Sequence, residues 1–177
     1  AAFMLLTTKL QDIVGKKKLF IIGTMLYGVG TLTAAISWSA TVLFIGWALI
    51  EGIAGALMTP ATISLISGIY SGEKRTFALA IESVMVSISA AVGPLFGGFM
   101  TTFLSWRWGF AVELIFVIFI LVMQSKIPEF EPTESRSDLD ITGAIISLIG
   151  LVLFVWGILM LTKDTSTSLI VIAVGLV

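Results

Sequence analysis

Residues 19–50 read LFIIGTMLYGVGTLTAAISWSATVLFIGWALI, and these 32 positions between Lys18 and Glu51 contain no charged side chain. A second uncharged run covers residues 83–106. A helix needs roughly 20 apolar residues to cross a bilayer, whereas the strands of a membrane barrel alternate apolar and polar side chains over roughly 10 residues. The two runs therefore predict membrane-spanning helices.

The composition of the whole chain agrees with this prediction. Of the 177 residues, 58% are apolar and 12% are charged, against roughly 45–50% and 25% in soluble proteins. The chain has no cysteine and no histidine, which excludes disulfides, thiolate nucleophiles and zinc sites built on those ligands. The net charge is −1 and no long basic block is present, so nucleic acid is not an expected partner. We expect a membrane protein that is not an enzyme and holds no cofactor or metal.

The charges and prolines divide the chain into five complete spans and two incomplete ones. The complete spans are predicted at Leu19–Trp38, Thr41–Ile63, Phe77–Phe103, Trp106–Met123 and Ile141–Thr162. Ala1–Thr8 and Leu169–Val177 are apolar but too short to cross a bilayer. Because the chain begins without Met and stops within an apolar run, we expect an internal segment of a longer membrane protein.

Positive charge is concentrated in alternate connections between the spans. Eight of the ten Lys and Arg residues lie in the first, third and fifth connections, and only Arg107 and Lys163 lie in the others. The positive-inside rule then places loops 9–18, 71–76 and 126–140 in the cytoplasm. We expect a multi-pass protein of the plasma membrane.

The first of these loops carries a recognisable motif. Residues 8–18, TKLQDIVGKKK, resemble the G-x-L-x-D-x-x-G-[RK]-[RK] signature of the major facilitator superfamily. The matching residues include Asp12, Gly15, Lys16 and Lys17, and Thr8 stands in place of the first glycine. Gly15 permits a turn with positive φ, and Asp12 could cap a helix or pair with a cation of the other transporter half. An ordinary basic loop with a turn is the alternative interpretation.

A second motif lies in the third complete span. Residues 89–98, SAAVGPLFGG, are similar to the family's antiporter signature G-x-x-x-G-P-x-x-G-G. The matching residues are Gly93, Pro94, Gly97 and Gly98, with Ser89 in place of the first glycine. Pro94 kinks the helix, and the glycines offer a small face for helix packing. In the family this signature accompanies efflux rather than uptake; the alternative is a helix that is only kinked and packed.

Two further motifs resemble the fourteen-span drug:proton antiporter group of that superfamily. Trp106-Arg107-Trp108-Gly109-Phe110 is similar to the start of its sixth helix, and Asp140-Ile141-Thr142-Gly143 to the opening of an extra helix between its two halves. The resemblance implies an all-α polytopic membrane fold, part of a major facilitator type helical bundle. It divides the chain into residues 1–125 (part of the N-terminal half, from the end of helix two to helix six), 126–140 (a cytoplasmic linker) and 141–177 (the extra central helices).

The resemblance fails at one place in the second complete span. Members of the family usually carry R-x-x-Q-G there, and the corresponding residues here are Ala48, Glu51 and Gly52. A mechanism that depends on the missing arginine therefore does not carry over to this chain.

Three carboxylates, Glu51, Glu82 and Glu113, lie within predicted spans. An unpaired charge at the centre of a membrane helix costs at least about 2.5 kcal/mol, so each carboxylate is a candidate proton or substrate site. Each also has a structural alternative. Glu51 could donate a hydrogen bond to a backbone carbonyl, Glu82 could pair with Arg75, and Glu113 could pair with Arg107.

Glu51 lies roughly 15 Å from the outer edge of its span, near the middle of a bilayer core roughly 30 Å thick. Helical spacing places Trp47 and Met58 on the same stripe. A carboxylate beside an aromatic ring and a thioether would suit a lipophilic cation.

Together, the motifs imply a proton-coupled efflux transporter for lipophilic, preferably cationic, small molecules that works by alternating access. Its expected partners are membrane lipids, protons, the small lipophilic substrate and the remainder of the longer chain. Two alternatives stay open: a uniporter or symporter for a small solute, and a membrane sensor or assembly protein that kept the fold and lost transport. Ala48 and Thr8, which depart from the family pattern, keep the last one open.

Overall fold

The computed structural model describes residues 2–132, 141–161 and 165–176, and within these ranges the chain is almost entirely helical and has no strand. The helices are α1 (Ala2–Val14), α2 (Lys16–Ala35), α3 (Ala40–Ile69), α4 (Gly72–Phe103), α5 (Trp106–Met123), α6 (Ile141–Met160) and α7 (Thr165–Leu176). A 3₁₀ turn, Gln124–Lys126, continues α5. The predicted all-α fold class is confirmed.

The helices correspond to the predicted spans. Helices α2 to α5 are long and apolar enough to cross a membrane, and α6 is apolar over Ile145–Met160. Helices α1 and α7, at the two predicted incomplete spans, have 13 and 12 residues. Serines cap two of the long helices at their starts, because Ser39 accepts a hydrogen bond from the Val42 N–H and Ser105 accepts one from the Arg107 N–H.

Two segments predicted as cytoplasmic loops are helical in the structure. Residues 9–18 are helical except at Gly15, whose φ of 99° separates α1 from α2. Loop 71–76 is also wrong, because α4 already begins at Gly72. Charged side chains can extend from a helix into the headgroup region. The lysines therefore do not mark where the helices end.

Glycines bring α2 and α3 into close contact. A Cβ added at Gly30 would lie 2.8 Å from the Gly46 carbonyl oxygen, and one added at Gly46 would lie 2.8 Å from the Ala34 backbone nitrogen. Only the absence of side chains at both positions allows the two backbones to approach so closely. The α3 part of this contact belongs to a π-helical segment, Phe44–Glu51.

A buried threonine connects α1 to α3 at a proline. Pro60 lies inside α3 and has no N–H, so the carbonyl of Ala56, four residues earlier, loses its helical donor. The hydroxyl of Thr7 donates to that carbonyl oxygen at 2.7 Å. A side chain from a neighbouring helix thus replaces the missing backbone donor, as is common for prolines in membrane helices.

Residues at or near the helix ends contact one another at each end of the bundle. After α5, the ring of Phe130 packs against Gly68 near the end of α3, and Lys16 at the start of α2 lies 5.6 Å from the centre of that ring. At the other end, Arg107 Nη2 donates to the Ser37 carbonyl oxygen at 2.5 Å. The predicted first, third and fifth connections therefore meet at one end of the molecule.

The remaining helices pack in two different ways. No residue of α4 is buried, whereas α6 and α7 meet backbone to backbone, since a Cβ at Gly150 would lie 2.9 Å from the Gly175 carbonyl oxygen. Residues 133–140, which include most of the predicted linker, lie outside the described ranges. The division of the chain at residues 125 and 140 stays a prediction.

Candidate functional site

A cleft of about 680 Å³ opens between α3, α4 and α5. Its lining residues are Trp47 from α3, then Ser89, Gly93, Phe96, Gly97, Met100 and Thr101 from α4, and Trp106, Gly109, Phe110, Val112, Glu113 and Phe116 from α5. Among these described residues, Glu113 alone is charged. The volume and the apolar wall are typical of a small-molecule site, in which a few polar groups set specificity.

Aromatic rings form one side of the cleft. The rings of Trp47 and Phe110 meet edge to face, with centroids 6.1 Å apart and planes at 72°. Trp106 meets the same Phe110 ring at 6.1 Å and 87°. Edge-to-face contacts of this kind fix the orientation of the rings. The cleft therefore presents aromatic surface at defined angles, next to the single carboxylate.

Glu113 is bonded to a residue that the sequence analysis did not single out. The hydroxyl of Tyr27 on α2 donates a hydrogen bond to Glu113 Oε1 on α5. The alternative pairing of Glu113 with Arg107 is wrong, because Arg107 donates to the Ser37 carbonyl and stacks 4.5 Å from the Trp106 ring centre. Six residues of separation on a helix turn the two side chains apart.

Glu51 lies outside the cleft, in the contact between α2 and α3. Its side chain packs against Gly30, where an added Cβ would lie 2.7 Å from Glu51 Cγ. The residue is 6% exposed, and Oε1 has no hydrogen-bond partner among the described residues. Tyr27 and Glu113 thus form a hydrogen-bonded pair between α2 and α5, and Glu51 lies in the α2–α3 contact.

The surface predicted around Glu51 is divided between the cleft and helix α2. Trp47 lines the cleft, Glu51 faces α2, and Met58 packs against Gly23 of α2, where an added Cβ would lie 2.7 Å from its Cγ. Glu82 is half-buried on α4, outside the cleft lining, and makes no ion pair with Arg75 in the described part of the chain. The functional roles of these residues stay predictions.

The first motif lies at the end where the linker packs. Gly15 adopts the positive φ that the motif predicts. Asp12 lies in the last turns of α1 and does not cap α2, whose cap position is Gly15 itself. Lys17 Nζ lies 3.8 Å from Glu129 Oε1, which is largely exposed, so this ion pair contributes little to stability.

The antiporter motif supplies the α4 wall of the cleft. A Cβ added at Gly93, Gly97 or Gly98 would meet no described atom within 4 Å, and Ser89, Gly93 and Gly97 line the cleft. The small face predicted for helix packing has no packing partner in the described residues and leaves the cleft open. Gly143 lies near the start of α6, and Asp140 lies outside the described residues.

Two features of the structure were missed from sequence, and each has a weak signal. Tyr27 is one of only two tyrosines in the chain and lies within an uncharged run, where a phenol needs a hydrogen-bond partner. Pro60 in the middle of an apolar run indicates a carbonyl that needs an outside donor. Neither signal identifies the partner, because Glu113 and Thr7 come from other helices.

Comparison with known proteins was made on the whole chain. The family described as Major Facilitator Superfamily matches residues 1–176. EfpA of Mycobacterium tuberculosis, an MFS-type transporter by name, is 30% identical over 147 residues, which cover 82% of this chain and 27% of the relative. Rv1250 of the same organism is 31% identical over 156 residues, 88% of this chain and 26% of the relative.

A third relative has a name that refers to drug resistance. The quinolone resistance protein NorB of Staphylococcus aureus is 35% identical over 141 residues, which cover 79% of this chain and 30% of the relative. The chain thus spans between 26% and 30% of the length of these three proteins. By their names, two of these relatives are transporters and the third is a resistance protein. With the family match over almost its full length, the chain belongs to the Major Facilitator Superfamily.

Proposed function

We propose that the full-length protein exports lipophilic cationic compounds across the plasma membrane in exchange for protons, by alternating access of its two halves. The observation that carries this proposal is the cleft between α3, α4 and α5, which combines an aromatic wall with one carboxylate. The antiporter motif forms the opposite wall, and the resistance named for NorB supports a drug as substrate.

The chemistry of the cleft suits a large cation with apolar groups. The faces of Trp47, Phe110 and Phe116 offer apolar area and the negative face of an aromatic ring, which attracts a cation. Glu113 supplies the opposite charge in surroundings that contain little else that is polar. In a site of low dielectric constant this attraction is stronger than it would be in water.

Glu51 is the carboxylate that fits proton transfer. Its burial and its unpaired Oε1 make the charged form expensive, so a transport cycle that alternately protonates and deprotonates it would alternate between two states of the α2–α3 contact. The substrate cleft and the proposed proton site are thus separate.

The test is export by the full-length protein in inside-out membrane vesicles with an imposed proton gradient. Transport of ethidium, a cationic dye, is compared with that of an uncharged substrate for Glu51→Gln, Glu113→Gln and the control Glu73→Gln, which is exposed at the start of α4. We expect Glu51→Gln to abolish proton-driven export of both compounds. Glu113→Gln should impair the cation selectively, and the control should behave as the wild type.

Two results would contradict the proposal. Full export of ethidium by Glu51→Gln would show that this residue carries no proton. Equal impairment of charged and uncharged substrates by Glu113→Gln would show that the cleft carboxylate is not a charge partner. Facilitated movement of solute without any effect of the proton gradient would favour a uniporter.

A further inference from the structure

Tyr27 lies on α2, which does not line the cleft, yet its hydroxyl contacts the cleft carboxylate Glu113. Its hydroxyl donates to Glu113 Oε1 across 86 residues of sequence. The two helices pack against each other next to this bond, because a Cβ added at Gly28 would lie 2.9 Å from Val117 Cγ1. Gly28 follows Tyr27 directly and Val117 is one helical turn beyond Glu113, so this packing holds the two side chains near each other.

No cation shares this role in the described part of the chain. Arg107, the nearest basic residue in sequence, is held by the Ser37 carbonyl and the Trp106 ring. The lining of the cleft around Glu113 is otherwise apolar or small. A carboxylate in such surroundings needs a donor, and Tyr27 is the donor that the structure provides.

We propose that Tyr27 is a positioning residue for cationic substrates, and that it acts through Glu113. Its hydroxyl holds one carboxylate oxygen against α2 and leaves the other oxygen for a cation that enters the cleft. A carboxylate fixed beforehand loses less conformational freedom when the cation binds, which increases affinity. Tyr27 therefore sets the preference for positively charged over neutral compounds. This inference rests on the proposed binding of cations in the cleft.

The experiment is equilibrium binding to the purified full-length protein in lipid nanodiscs. The probes are tetraphenylphosphonium, a lipophilic cation, and triphenylphosphine oxide, which is neutral and of similar shape. Loss of one hydrogen bond to a charged group predicts about tenfold weaker binding of the cation by Tyr27→Phe, with binding of the neutral probe unchanged. Tyr70→Phe is the matched control, because Tyr70 is the second tyrosine of the chain and lies exposed just after α3.

Two further variants test whether Tyr27 acts through Glu113. In a Glu113→Gln background, Tyr27→Phe should cause no additional loss of cation binding, since residues that act through one contact are not additive. Glu113→Asp keeps the charge but shortens the side chain, so it should also lose affinity for the cation alone. This variant tests whether cation binding depends on where the carboxylate is held, including the case in which Tyr27→Phe does not fold.

Several results would overturn the inference. These are equal losses for both probes, additive losses in the double variant, and unchanged or tighter cation binding by Tyr27→Phe. Absence of tetraphenylphosphonium binding to the wild type would also overturn it, since the cleft would then take no cation. If the wild type binds the cation as described but shows no proton-driven export, the proposed function fails and the positioning role of Tyr27 stands.

Discussion

Helices α3 and α4 contain the same two residue types, glycine and proline, in different surroundings. Between α2 and α3, the space at Gly30 and Gly46 is filled by the backbone of the partner helix. On the α1 side of α3, the carbonyl freed by Pro60 accepts a bond from Thr7. In α4, the three motif glycines face open space. No described side chain donates to the carbonyl that lies four residues before Pro94.

This difference in packing distinguishes a helix held by its neighbours, α3, from one that can bend, α4. Glycine and proline in a membrane helix allow both close packing and bending, and only the neighbours decide which of the two occurs. Helix α3 is packed by α1 and α2, whereas α4 forms one wall of the cleft and has no buried residue in the described part of the chain. Because glycine and proline permit α4 to bend, a change of shape that opens or closes the cleft is expected in α4.

The largest effect on stability is expected from Gly46→Ala. The added Cβ would lie within 3 Å of backbone atoms of α2, which cannot move aside as a side chain can, so overpacking should cost about 1–3 kcal/mol. The matched change Gly97→Ala enters open space and should stay within about 0.5 kcal/mol of the wild type. Thermal unfolding of the purified full-length protein measures both. Equal stability of the two variants would remove the distinction between the regions.

The next effect concerns transport rather than stability. Pro94→Ala restores a backbone donor and straightens α4, so we expect a folded protein that loses most of its export or leaks protons. Dye export and proton leak in vesicles measure this, with the amount of folded protein as the reference. If export is unchanged, the bend at Pro94 is ordinary helix geometry and α4 is not the movable element.

A smaller effect on stability is expected from removing the hydrogen bond that Thr7 makes next to Pro60. Thr7→Val keeps the shape of the side chain but removes the donor to the Ala56 carbonyl, which should cost about 1 kcal/mol. In a Pro60→Ala background the same change should cost less, because residue 60 then supplies its own N–H to that carbonyl. A double-mutant cycle on thermal stability gives the coupling. Additive costs would show that Thr7 does not compensate for the proline.

The last prediction concerns the orientation of the helices in the membrane. Its single-cysteine substitutions should have the smallest effect on the protein. The chain has no cysteine, so single cysteines at Glu131, after α5, and at Ser39, before α3, report their sides of the membrane without background. The distribution of positive charge predicts that an impermeant maleimide applied to intact cells labels position 39 and not position 131. The reverse pattern would invert the topology, and with it the direction in which the cleft opens.

The fold could be predicted from sequence because the length of an uncharged run is a physical requirement for crossing a bilayer. The exact helix ends could not, since Lys16 and Lys17 continue α2 into the region where their charge meets water. The motif residues Ser89, Gly93 and Gly97 were predicted together, and they line the cleft together because they lie on one helix.

The site could be predicted only in part, because its residues come from different helices. Helical spacing places Trp47 and Glu51 on one stripe, and both lie in a π-helical segment. Trp47 nevertheless lines the cleft while Glu51 faces α2, and the sequence of α3 alone does not show which neighbour each side chain meets. The partner of Glu113 is 86 residues away, and no local pattern identifies it.

The bond between Tyr27 and Glu113 also has a consequence for the order in which the protein is made. Synthesis at 5–20 residues per second separates these two positions, 86 residues apart, by about 4 to 17 seconds. Tyr27 is therefore already in the membrane when the ribosome reaches Glu113. The carboxylate of Glu113 therefore enters the bilayer after its hydrogen-bond donor.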